Sequence, residues 1–330
     1  MIGKYLNLGS VNTPNRGSNP GFNESKGIAI LLVVFGHNKI FQAVFTEVIS
    51  LIYFFHVMFF LVYVASSKPE GVYKLLQRTR RYLIPYITFT LLSWVAFTFV
   101  FDGELEFFDY LLAVILGSAP LLRDVVGFGF FWFVSAAITG IWVSYIGIRY
   151  PSLRAVLMAF SLFVFYLVFY MGVEPYGVLL GISCFWVSSL YFLVFRSIDK
   201  LGLSVMLEVV VVVILFSMRG DSELNFGEGV IKGDFVTVLL VLLFGVRFLD
   251  LIGEVLTKSD VSILGGVRFL GKHSFQVYLL HSFFSYSLYI ILPESMIYGF
   301  INFFSTVALC VISILVLKKI KLYKYLFPKG

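Results

Sequence analysis

Four histidines, His37, His56, His273 and His281, stand in a chain of 330 residues, and each falls within an apolar stretch. An ionisable group at such a position is costly to keep and is a candidate for function. A histidine bonded to a neighbouring helix is also a common packing device, so spacing must separate the two readings. It does so for His37. Lys26 lies eleven residues earlier, three turns of an α-helix with about 20° of residual rotation, so both side chains share one face about 16 Å apart along the axis. The intervening Ile28 to Phe35 is wholly apolar, and Gly27 and Gly36 permit close helix contact. A neutral imidazole sheltered from water is suited to take a proton from a hydroxyl near neutral pH. His37 is therefore the general-base candidate, with Lys26 as the cation on its face.

A second constellation is the run from Arg78 to Tyr86, with Arg78, Arg80, Arg81 and Pro85. Arg78 and Arg81 are i, i+3 neighbours at the start of a helix, so two guanidinium forks can face one direction and suit phosphate oxygens. A stop-transfer anchor for anionic lipid would use the same residues, and both readings stand.

The elements that hold these groups follow from composition. Hydrophobic residues make up 59% and charged residues 13% of the chain, where soluble domains carry about a quarter charged. Mean hydropathy is +0.94. With 38 Phe, 19 Tyr and 4 Trp, there is more apolar surface than an interior of this size can hide, which excludes a soluble enzyme. The expected fold is an all-α polytopic membrane bundle. Apolar windows predict ten helices, at 26–44, 46–66, 81–101, 128–148, 153–172, 176–196, 203–218, 235–252, 269–292 and 296–317. The stretch 109–122 is too short to span and reads as re-entrant or interfacial. Residues 1–22 are polar and Gly-, Asn- and Pro-rich, a disordered cytoplasmic tail without signal-peptide character. The transmembrane domain is expected over 23–318, and 319–330 form a basic cytoplasmic tail. Cys184 and Cys310 lie in apolar runs and read as small buried hydrophobes.

Charge gives orientation. With the amino terminus inside, twenty Lys and Arg fall on the cytoplasmic side, and only Lys39, Arg123, Arg219 and Lys232 fall outside, where nine acidic residues gather; Arg247 is left within a helix. This split favours both termini in the cytoplasm of a multi-pass protein of the cytoplasmic membrane. The net charge of +6 then describes topology, and nucleic acid is not an expected partner.

These residues resemble the integral-membrane acyltransferase 3 family, whose members transfer acyl groups to cell-surface polysaccharides, peptidoglycan and antibiotics. The family's first helix reads as a basic residue, ten residues and a histidine, matched almost throughout by Lys26-Gly27-Ile28-Ala29-Ile30 to Gly36-His37. Phe55-His56-Val57-Met58-Phe59-Phe60 is similar to its second-helix motif, and Arg78, Arg81 and Pro85 to its third. Phe131-Trp132-Phe133 looks like its Trp-Phe segment, and Gly271-Lys272-His273-Ser274 with Tyr278 and His281 like its late motif. The resemblance spans about residues 22–318 and leaves no room for an appended extracytoplasmic domain. It departs at Met58, where the family has Pro, at Tyr63-Val64, where it has Ser-Gly, and at Asn23, where it often has Asp.

The resemblance implies acyl-CoA, with acetyl-CoA the expected form, as a cytoplasmic co-substrate with no permanently bound cofactor. It implies an acceptor hydroxyl on a surface polysaccharide or lipid-linked oligosaccharide. Arg78, Arg81 and Arg80 would hold the coenzyme phosphates. His37 would deprotonate the acceptor or accept the acyl group itself, and His56, Trp132, Tyr278 and His281 are the substrate-binding candidates. Membrane lipid is the surrounding partner, and a homo-oligomer is compatible with the sequence. His273 and His281, eight residues apart, read as a polar inter-helix contact or as acceptor-site lining. The chain holds no GxSxG, P-loop or GxGxxG, and no HExxH or Cys/His pairing that would suggest a catalytic metal. The alternative from another class is a polysaccharide or lipid-linked sugar transporter or flippase, which internal repeats would favour; none is visible between the two halves.

Overall fold

The computed structural model describes residues 21–66, 70–101, 107–170, 176–200, 205–218, 220, 223–225, 230–258 and 264–328. The expected tail up to residue 20 lies outside the described residues, as do Lys68, Arg219, Lys329 and the acidic positions Asp102, Glu104, Glu106, Asp221 and Glu228.

The described chain is an all-α bundle with one small hairpin. Its first part comprises α1 (Phe22–Gly36), α2 (Lys39–Val44), α3 (Thr46–Tyr53), α4 (His56–Ala65), α5 (Val72–Phe101), α6 (Phe107–Leu116) and α7 (Ala119–Val126). A 3-10 turn (Gly129–Phe131) then leads into α8 (Trp132–Arg149), followed by α9 (Pro151–Tyr170), α10 (Gly177–Lys200) and α11 (Val205–Met218). Strands β1 (Glu223–Asn225) and β2 (Val230–Lys232) pair antiparallel, between the spans expected at 203–218 and 235–252. The chain closes with α12 (Phe235–Thr257), α13 (Leu264–Lys272), α14 (Ser274–Ile291), α15 (Met296–Lys319) and α16 (Tyr323–Leu326). Asp234 caps α12 through the Thr237 amide, 2.9 Å away, and that bond holds its carboxyl below the usual carboxylate range.

Among the described residues, seven segments are long and apolar enough to cross a membrane: Thr46–Ala65, Val72–Phe99, Gly129–Arg149, Pro151–Val168, Gly177–Phe195, Phe235–Thr257 and Met296–Lys319. The other three expected spans fold as α1 with α2, as the 14-residue α11, and as the 18-residue α14. Fifteen residues of α1 rise only about 22 Å, short of a hydrocarbon core of about 30 Å. The helix expected over 26–44 is broken at His37–Asn38, that over 46–66 at Phe54–Phe55, and that over 269–292 at His273. The region 109–122 folds as the short helices α6 and α7.

Helices α4 and α8 lie mostly within the bundle, while α5, α9 and α15 present most of their surface outward, with Leu92, Phe163 and Ile312 exposed, as lipid-facing helices require. At the centre stands α1, packed on α4, α12, α13 and α14, with Ala29, Ile30, Val33 and Val34 fully buried. Its first turns meet α13 backbone to backbone. A Cβ on Gly27 would collide with the Val267 carbonyl, and one on Gly271 with the Asn23 carbonyl, the small-residue packing that membrane helices favour. Buried Glu24 of α1 fastens the same contact, accepting from Arg268 Nε and Nη2 at 2.6 Å each. Gly36 has a different role from the one its size suggested, for a Cβ there would meet only ordinary contacts with Tyr53.

Candidate functional site

What Gly36 supplies is a carbonyl. Ending α1 leaves its last carbonyls without helical partners, and that of Gly36 accepts from Gln42 Nε2 at 2.7 Å and Tyr53 Oη at 3.0 Å. Asn38 starts α2 as its N-cap, with Oδ1 accepting from the amides of Ile40 and Phe41 at 3.1 and 3.2 Å. Such a cap is worth about 1 kcal/mol over Ala. Asn38 Nδ2 donates to the Gly299 carbonyl of α15 at 2.9 Å. The break is thus satisfied on both sides, as irregular backbone inside a packed bundle requires. His37 stands at this break.

Two other imidazoles stand near it. The His37 and His281 ring centroids are 5.1 Å apart, and Tyr53 lies 6.1 Å from His37 and 5.1 Å from His56. His56 Nδ1 sits 2.7 Å from the Ile52 carbonyl, and His281 Nδ1 2.6 Å from the Tyr278 carbonyl. A carbonyl can only accept, so Nδ1 carries the proton in both. His281 Nε2 then accepts from Ser282 Oγ at 3.0 Å, while His56 Nε2 is buried without a partner. No side chain among the described residues bonds to His37.

Two cavities approach this cluster from opposite ends of α1 and α14. The first, of about 420 Å³, is lined by Lys26 and Ile30 of α1, Phe59, Phe60 and Tyr63 of α4, Arg81 and Tyr82 of α5, Phe133, Lys272, and Ser274 to Gln276 with Tyr278. The second, of about 370 Å³, is lined by His37, Lys39, Gln42, Tyr53, Arg123, Gly127 to Phe130, Trp132, Ser282, Ser285 and Tyr286. Tyr278 lines the Lys26 cavity and Phe130 the His37 cavity. Between them the Tyr278 hydroxyl donates to the Phe130 carbonyl, with Phe133 packed 4.7 Å from Tyr278 and His281 5.4 Å from Phe130. Tyr278, Phe130 and Phe133 thus form a septum where the linings of the two cavities meet.

The residues singled out in the sequence divide between these spaces. Lys26, Arg81 and Tyr278 line the first, and His37 and Trp132 the second. His56 and His281 are fully buried and line neither. Of the arginine cluster, Arg81 alone lines either of these two cavities. Arg80 is exposed, and Arg78 is partly buried with Nη1 lacking a partner. Lys272 joins Arg81 in the same lining. His273 does not share a helix face with His281, because α14 begins after it. It takes the inter-helix role instead, 2.8 Å from Lys318 Nζ of α15 and 3.3 Å from Tyr323 Oη of α16.

One polar centre escaped the sequence reading. Asp250 of α12 is buried, and its Oδ2 accepts from Tyr63 of α4 and Tyr191 of α10. One turn earlier, Arg247 Nε donates to Glu208 of α11 at 2.7 Å and Nη2 to Asp199 of α10 at 2.7 Å. Asp and Arg three residues apart in an apolar run were the available signal. Since Tyr63 also lines the Lys26 cavity, this network braces one wall of it.

Set against family models, curated proteins and solved structures, the chain matches none.

Proposed function

We propose that the chain is a membrane acyltransferase, carrying an acyl group from acyl-CoA, with acetyl-CoA the expected donor, to a hydroxyl of an extracytoplasmic or lipid-linked glycan. The observation that carries this reading is the pair of cavities meeting at one septum, one lined with cations and the other with His37. Lys26, Arg81 and Lys272 line the first, with no carboxylate among its lining residues, a composition suited to coenzyme phosphates. By the distribution of Lys and Arg this end faces the cytoplasm, where acyl-CoA is found.

In the proposed reaction the pantetheine arm runs along α1 from Lys26 toward the septum and delivers the thioester to it. The acceptor hydroxyl in the second cavity gives its proton to a His37 nitrogen as its oxygen bonds to the thioester carbonyl carbon. The C–S bond then breaks, and the coenzyme leaves as thiolate to be protonated in the first cavity. Of the three clustered imidazoles, His37 suits this role best. It faces a cavity, and the hydrogen bonds that fix the other two rings leave it unengaged. Positioning both reactants at one septum would convert a bimolecular step into a nearly unimolecular one.

Sealed membrane vesicles test the arrangement. With labelled acetyl-CoA on the cytoplasmic face only, label is expected on glycan at the opposite face. Transfer from donor supplied solely at the opposite face would contradict the reading.

A further inference from the structure

The His37 cavity carries a charge pattern that runs against its surroundings. Charge places four basic and nine acidic residues on this side of the protein. Two of those four, Lys39 and Arg123, converge on one cavity, and no carboxylate is among its lining residues. They come from separate elements, Lys39 from the first turn of α2, two residues beyond His37, and Arg123 from α7. Arg123 lies along the 3-10 turn, where a Cβ on Gly129 would come 3.6 Å from its Nε. Positive charge this far from the cytoplasmic end is not explained by retention during insertion. Trp132 and Tyr53 add flat aromatic faces to the same space, and a few placed charges within aromatic walls are the usual make-up of a selective pocket.

We infer that the acceptor held in this cavity is an anionic sugar, bearing a carboxylate or phosphate that Lys39 and Arg123 engage while a pyranose face rests on Trp132 or Tyr53. The inference rests on the acyltransferase reading and names the substrate class of its second cavity. The guanidinium fork supplies planar recognition and the ammonium a point charge. The acidic substituent would hold the sugar so that a neighbouring hydroxyl lies at His37, and a neutral sugar would lack that anchor.

Binding can be measured without any acyl transfer. The full chain in phosphatidylcholine nanodiscs is titrated, by tryptophan fluorescence, with an oligoglucuronate, with the same oligomer after carboxyl reduction, and with a phosphorylated mannose oligomer. At least one anionic oligomer is expected to bind about 10- to 100-fold more tightly than the neutral one, the range for hydrogen bonds to charged groups. That preference should vanish in Lys39→Gln with Arg123→Gln and survive in Lys39→Arg with Arg123→Lys, so a loss of fold is told apart from a loss of charge. Equal affinity for all three oligomers, or a preference that persists in the Gln pair, overturns the inference. A preference erased by phosphatidylglycerol in the disc also overturns it, because the cations would then hold a lipid headgroup. Acetyl-CoA titrated into the same discs reports on the donor cavity separately, so failure of the acyltransferase reading would show there alone.

Discussion

The two cavities share a wall but are built from different material. The Lys26 cavity draws on the interiors and ends of α1, α4, α5 and α14, and its charges sit on long, flexible stems. The His37 cavity is assembled from α2, α7, a 3-10 turn, the end of α1, the last residue of α3, the first residue of α8 and the middle of α14. A phosphate tolerates several positions of a Lys or Arg, so ordinary helix positions suffice to present it. A group that must meet one hydroxyl needs a fixed position, and here the backbone itself breaks, with Asn38, Gln42 and Tyr53 pinning the break. The broken backbone at His37 is both satisfied by protein groups and part of a cavity lining.

If this division of labour holds, the largest effect short of the imidazole itself comes from reversing charge in the Lys26 cavity. Arg81→Glu with Lys272→Glu should raise KM for acetyl-CoA about 100-fold with kcat little changed, since each lost charged hydrogen bond is worth about 1.5 to 3 kcal/mol. Arg80→Gln, exposed and outside both cavities, should change KM by less than about twofold. Equal effects of the two variants in steady-state kinetics would return the whole cluster to a lipid-anchoring role.

The septum gives the next effect. Tyr278→Phe removes the hydroxyl that donates to Phe130 and leaves that carbonyl without its donor, a cost of about 1 kcal/mol. A loosened wall should let water reach the thioester, so acetyl-CoA hydrolysis without acceptor should rise roughly fivefold. Unchanged hydrolysis, measured as free thiol release, would mean that the Tyr278 bond does not separate the two spaces.

The smallest effect is expected at Asp250. Asp250→Asn keeps an acceptor for Tyr63 and Tyr191 but weakens two charge-assisted bonds, costing about 1 to 2 kcal/mol of stability in thermal unfolding. Transfer per folded molecule should stay within about threefold. Complete loss of transfer in a well-folded Asp250→Asn would move the proton path away from His37.

Apolar windows made the bundle and its broad segments legible, and the eleven-residue interval from Lys26 to His37 put both on α1 and its cap. Windows of twenty residues are blind to a break flanked by apolar residues on both sides, and so the interruptions at Phe54–Phe55 and His273 were missed. At His37 the signal was present in Asn38, a strong N-cap residue directly after Gly36-His37. Arg78 and Arg81 share a face by spacing, yet only Arg81 reaches the cavity, because a helix face does not say what lies opposite it. The cations of the His37 cavity were unreadable for the same reason: Lys39 and Arg123 are 84 positions apart in sequence, and only tertiary packing unites them.

His37 is the side chain on which acyl transfer is expected to depend. Transfer of labelled acetyl groups to glycan should be measured for purified His37→Ala, His37→Asn and His37→Gln beside a membrane-expression and thermal-stability control. All three should express and fold like the parent protein and lose transfer by about 10²- to 10⁴-fold, because neither amide can accept the hydroxyl proton. A histidine that only bridged helices would lose roughly one kcal/mol or less and be rescued by an amide. Full activity in His37→Gln would contradict the central claim.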